Sequence, residues 1–219
     1  MSLLTTAVTP AIDDYLLYNF SADDDLLRGL RARAAGKGFP DIAVSPVQAR
    51  FMQVLLKSIK AENVLEVGSL GGYSAIIMAR ALPENGKLIT IEHDKTRADF
   101  ARVQAEMAGL SSIIEVVNAD AHDYLSDFDP VTKFDFFFAD ADKEGYKDYL
   151  DKAYILLRKG GIAAFDNALA FGQIADINPE RDEEVKAIIE FNQYLINHKG
   201  FFSSLVTSGD GIAMAVKLD

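Results

Sequence analysis

Glu66-Val67-Gly68-Ser69-Leu70-Gly71-Gly72-Tyr73-Ser74 follows an apolar, strand-like run and leads into a helical pattern. Glycines at such a junction let the backbone approach a ligand closely, and the first turn of the next helix presents unpaired N–H groups. The glycines stand at 68, 71 and 72, which is not the G-x-G-x-x-G spacing of dinucleotide-binding loops. Taken alone, the stretch also reads as a plain tight turn.

Outward from it, short β-rich runs alternate with helical segments, the pattern of a parallel sheet with crossover helices. The expected strands are Val64 to Val67, Lys87 to Ile91, Ile113 to Val117, Phe134 to Ala139 and Gly161 to Phe165. Helices are expected over Tyr73 to Leu82, Thr96 to Ala108, Ala121 to Phe128, Glu144 to Leu157 and Glu183 to His198. Two last runs, Phe201 to Val206 and Ile212 to Val216, flank Ser208-Gly209-Asp210-Gly211 and predict an antiparallel hairpin closing one sheet edge. Upstream, apolar spacing predicts two helices between Pro10 and Ala35, broken near Ser21-Ala22-Asp23. Ser45-Pro46 then opens a third helix that runs to about Ile59. The fold class is α/β: a Rossmann-like, mostly parallel seven-stranded sheet with a C-terminal antiparallel hairpin. Residues 1–219 form one domain, with N-terminal helices over 1–60 and the core over 61–219.

The chain has 219 residues, 49% of them hydrophobic, enough for a sizeable core. A net charge of -11 disfavours nucleic acid or an anionic membrane as partner and leaves a small molecule as the default. There is no cysteine, which excludes disulfides, zinc-thiolate sites and a thiol nucleophile and favours oxygen ligands for any metal. The N-terminal residues lack a basic flank followed by an apolar run, and a cytoplasmic location is expected.

In open α/β sheets ligands bind beyond the carboxyl ends of the strands. The second strand ends at Glu92, 24 residues after Gly68, where an acidic side chain grips ribose hydroxyls in Rossmann-like folds. The third leads to Asn118-Ala119-Asp120-Ala121-His122, where a backbone N–H and a polar side chain can meet an adenine edge; His93 and His122 either line that pocket or are plain strand-end residues. Strands four and five end in Asp140 and in Asp166-Asn167, three oxygen donors suited to a hard cation such as Mg²⁺. Asp166-Asn167 also reads as a turn pair, and Asp142 as the N-cap of the following helix. Lys143, three residues past Asp140, is a candidate general base or a solvent-facing helix-start lysine.

These stretches, together with Gly209-Asp210-Gly211, resemble the cation-dependent O-methyltransferases that include caffeoyl-CoA and catechol O-methyltransferases, most closely the caffeoyl-CoA branch and its bacterial relatives. The likeness runs from about Ser45 to Lys217. It implies an S-adenosyl-L-methionine-dependent methyltransferase fold and metal ligation by Asp140, Asp166 and Asn167. The metal would be Mg²⁺, with Mn²⁺ or Ca²⁺ as alternatives, and Lys143 would be the base. It further implies cofactor contacts from Val44, Glu66, Gly68, Ser69, Ser74, Glu92, Ala121 and Asp140, a substrate-side position for Asp210, a small phenolic acceptor, and a homodimer. Two features depart from the family. There is no tryptophan after the Asp-Asn pair, where Ala168-Leu169-Ala170-Phe171-Gly172 stands instead, and the segment Gln173 to Glu184 is short beside the plant enzymes. The rival readings are a nicotinamide-dependent oxidoreductase, a non-catalytic interaction protein, and an RNA methyltransferase, which the acidic charge opposes.

Overall fold

A computed structural model describes residues 6–129, 131–176 and 182–219. Helices α1 (Pro10–Phe20), α2 (Asp25–Gly36) and α3 (Pro46–Ser58) precede the sheet, each opened by a side-chain cap from Thr9, Asp24 or Ser45. The core then alternates β1 (Asn63–Val67), α4 (Tyr73–Ala79), β2 (Lys87–Glu92), α5 (Lys95–Met107), β3 (Ile114–Asn118), α6 (Ala121–Ser126), β4 (Phe134–Ala139), α7 (Tyr146–Leu156) and β5 (Leu157–Phe165). After α8 (Glu183–Asn197), β6 (Phe201–Val206) and β7 (Ile212–Lys217) form the hairpin.

The strand order is β3-β2-β1-β4-β5-β7-β6, with β1 to β5 parallel and β7 antiparallel to both β5 and β6. Order reverses between β1 and β4, so the crevice beyond their carboxyl ends is where the fold places a ligand. Helices on both faces explain why β4 is a nearly continuous apolar run: Phe136 and Phe138 pack into the core on one face, Phe137 and Ala139 into the other.

Four element ends differ from expectation by two residues or more, one of them the end of α6 at Ser126. β5 begins at Leu157, four residues early, because Leu157 pairs with Phe134 and the Arg158 guanidinium bonds Asp135, extending the strand through Gly160-Gly161. α4 stops at Ala79: Ala81 and Leu82 donate to Met78 and Ala79 in tight turns, as expected for residues approaching Pro83. α7 begins at Tyr146, with Lys143–Gly145 forming a separate 3₁₀ turn. α1 buries none of its residues and leaves Tyr15, Tyr18 and Phe20 exposed. Among the described residues no helix is long and apolar enough to cross a membrane.

Candidate active site

Beyond the carboxyl ends of β1 to β5 lies an open cleft of about 1480 Å³, roofed in part by α2 and by the segment leading into α3. Of the predicted site residues, Val44, Gly68, Ser69, Ser74, Glu92, Ala121, Asp140, Lys143, Asp166, Asn167 and Asp210 all line it, as do His93 and His122. Glu66 does not; it lies fully buried below the cleft.

The β1–β2 side is built largely from backbone. Gly68 has φ 95, and a side chain there would collide with the backbone carbonyl of Asp140, so glycine is what lets the loop after β1 close against the end of β4. Glu92 is buried; its Oε2 accepts from Leu70 N–H at 2.8 Å and its Oε1 from Asp94 N–H at 2.9 Å. It is therefore no solvated strand-end carboxylate but a fixed one, tied to the glycine loop. Ser69 shares a short hydrogen bond with Thr90, and Asn118 Nδ2 donates to the carbonyls of Glu92 and His93. Ala121 opens α6, whose first N–H groups are capped by Asp120. Val44 is buried, and its carbonyl accepts from Arg31, whose guanidinium stacks on the Tyr73 ring.

Glu66 is unusual. Neither carboxylate oxygen has a hydrogen-bond partner; the Ser74 and Thr90 hydroxyls stand near enough to favour the charged form without meeting it in hydrogen-bond geometry. Burial dominates, helped by the charges of Asp140 and Glu92, and its pKa is pushed up to about 7.

The β4–β5 side is acidic and held by side chains. Asp140 follows β4 and its N–H donates to Val67; Asp166 follows β5 and its N–H donates to Ala139. Neighbouring strand ends thus bring the two carboxylates together. Burial and then the Asp140 charge raise the Asp166 pKa above the usual carboxylate range. Asp166 Oδ1 accepts from Gln48 Nε2 at 2.5 Å and from Asn167 N–H at 2.8 Å. Asn167, with φ 56, donates from Nδ2 to Asp210 Oδ2 at 3.2 Å, which commits its amide nitrogen and leaves its carbonyl oxygen. Asp210 Oδ1 accepts from Phe171 N–H at 2.7 Å, holding a loop in which Ala170 and Phe171 also have positive φ and Phe171 is exposed.

Lys143 Nζ donates to Asp140 Oδ1 at 2.9 Å and to Tyr146 Oη at 2.8 Å, and is largely buried, so it is not a solvent-facing lysine. The Tyr146 hydroxyl lies 3.2 Å from the Ala139 carbonyl and 3.1 Å from that of Asp166. Its single proton serves one of these at a time, and its oxygen receives Lys143. Asp142 is not the side-chain N-cap that the sequence suggests: no capping bond forms there. Its Oδ1 accepts instead from Tyr149 Oη at 2.7 Å, because Tyr149, in the first turn of α7, faces back toward it beside the stacked His122 ring.

The donor set suits a hard divalent cation: two carboxylates in mutual repulsion and one amide oxygen, all oxygen ligands. Among the described residues no group of three acidic or histidine side chains is arranged for a metal, so the set consists of two carboxylates and the Asn167 amide oxygen. Sequence reasoning missed Gln48, Tyr146 and Tyr149. Gln48 carried a signal: it is the polar member of the α3 stripe that continues through Met52 and Leu56, all buried.

The O-methyltransferase family profile matches residues 18–218. The chain is 34% identical to the catechol O-methyltransferase of Niastella koreensis, across 97% of this chain and 99% of that one. It is 31% identical to the caffeoyl-CoA O-methyltransferase of Populus kitakamiensis, across 91% and 89%. An O-methyltransferase from Bacillus cereus, solved in complex with SAH, superposes with a TM-score of 0.87 at 33% identity, covering 94% of this chain and 97% of that one. The chain belongs to the O-methyltransferase family and is, by sequence and fold, an enzyme of the S-adenosylmethionine-dependent class.

Proposed function

We propose that the protein transfers a methyl group from S-adenosyl-L-methionine to one hydroxyl of a small vicinal dihydroxy aromatic acceptor, with a divalent cation, Mg²⁺ foremost, held by Asp140, Asp166 and Asn167. The observation that supports this most is the meeting of Asp140, Asp166 and Asn167 beside Lys143, at the edge of the cleft whose other wall is the Gly68 loop and Glu92. The cofactor reading rests on Val44, Gly68, Ser69, Ser74, Glu92, Ala121 and Asp140 around one cleft, with Glu66 beneath them.

When bound, the cation would acidify and orient a chelating hydroxyl. The chain's own residues do the rest. Lys143, buried against Asp140 and Tyr146, receives the acceptor's proton at Nζ once that atom is unprotonated. Glu92 and the glycine loop fix the donor's remote end, so that orientation supplies much of the rate. α2 and the segment before α3 cover part of the cleft and narrow water's access to it. Asp210 acts on the acceptor through the loop it holds, placing exposed Phe171 at the rim. The exposed aromatics of α1 support a homodimer, and light scattering at micromolar concentration should report twice the 24.0 kDa chain; a 24.0 kDa particle would contradict it.

The acceptor class is tested with labelled S-adenosylmethionine against matched phenols. Label should enter vicinal diphenols and not their mono- or meta-hydroxy counterparts. Equal transfer to an isolated phenol would remove the need for two adjacent oxygens.

A further inference from the structure

Asp166 is held from a distance. Gln48 lies on α3, 118 residues earlier in the chain, is 1% exposed, and spends its amide N–H on Asp166 Oδ1. A buried glutamine beside Ala49 and Met52 in an otherwise apolar helix face needs a reason, since an amide taken from water is stabilised only where it is bonded. With the Asn167 N–H on the same oxygen, Oδ1 accepts twice, and among the described residues no hydrogen bond engages Oδ2. A carboxylate gripped through one oxygen cannot swing, and presents the other.

Gln48 is itself fixed from behind. Its own N–H is capped by Ser45 Oγ at 3.1 Å. Its Oε1 fills the space where a side chain at residue 209 would stand, so that a Cβ on Gly209, whose φ is 59, would overlap that oxygen. The helix before the sheet and the turn of the last hairpin thus close around one side chain.

We propose that Gln48 is a positioning residue that orients the Asp166 carboxylate for the divalent cation, and that glycine at 209, besides suiting the positive φ there, leaves Gln48 the space it occupies. This rests on the cation reading above. Outer-shell partners of this kind change metal affinity by roughly 10- to 100-fold when removed.

The test is Mn²⁺ binding to the full chain, followed by electron paramagnetic resonance of free Mn²⁺, with S-adenosylmethionine affinity and the melting temperature in chelator measured alongside. Gln48→Met keeps length and apolar packing but removes the donor; Gly209→Ala attacks the same contact from the other side. Both should weaken Mn²⁺ by roughly 10- to 100-fold while cofactor affinity stays within about twofold. If either folded variant melts lower yet binds Mn²⁺ as the wild type does, Gln48 is a packing residue and the proposal is overturned. If the wild-type chain takes up no Mn²⁺, the cation reading itself fails, and the inference with it.

Discussion

The two walls of the cleft are made in different ways. On the β1–β2 side, the carboxylate at the cleft is held by nearby backbone: Glu92 accepts from the N–H groups of Leu70 and Asp94, and Gly68 abuts the Asp140 carbonyl. On the β4–β5 side, side chains do most of the holding: Gln48 from α3 binds the Asp166 carboxylate, Lys143 binds that of Asp140, Asp210 from the hairpin turn binds the Asn167 amide, and Tyr146 from α7 binds the Asp166 carbonyl. The first wall is held by contacts close to its own loop, whereas the second also draws on Gln48 and Asp210 from segments far away in the chain. Damage to the first should show in cofactor binding, and damage to the second in turnover.

The largest difference should come from Lys143→Met. A positioned base contributes about 10²- to 10⁴-fold, so single-turnover methyl transfer should fall by that range with cofactor affinity unchanged. A variant as fast as wild type would leave the acidic wall without its proton acceptor.

Glu66 gives a contrast in stability, measured on the cofactor-free protein. Its pKa is raised by burial from 4.5 to about 7, so between those values the folded chain keeps a proton that the unfolded chain has lost. Its contribution is greatest below about pH 4.5, falls as pH rises, and is level above about pH 7. Urea unfolding across that window should show wild type losing up to about 3 kcal/mol relative to Glu66→Gln. Parallel curves would mean that Glu66 stays charged in the fold.

A smaller effect belongs to Glu92→Ala. Calorimetry without metal should show cofactor binding weakened by ~1 to 3 kcal/mol, the range for hydrogen bonds to a charged group. Unchanged affinity would take Glu92 out of the cofactor wall.

The same division governs what could be read in the chain. Strand-end residues were legible because the fold places them: once β1, β2, β4 and β5 were seen, Gly68, Glu92, Asp140 and Asp166 had to share an edge, and all line the cleft. Asn167 followed by adjacency. Contacts that cross the sequence were not legible. Nothing local pairs Gln48 with Asp166, and the helix face that buries it names no partner. Asp142 misled for a related reason: its position before a helix is a capping signal, but Tyr149, seven residues on, competes for its oxygen and wins. β5 began early because Leu157 gains a strand partner in Phe134, which no run of apolar residues announces.

If Asp140, Asp166 and Asn167 hold one cation on which transfer depends, chelation followed by add-back will show it. Rigorously metal-free enzyme should lose methylation of a vicinal diphenol, and Mg²⁺ or Mn²⁺ should restore it to wild type but not to Asp166→Ala, whose fold and cofactor binding survive. Full-rate methylation by the metal-free enzyme would mean that transfer needs no cation.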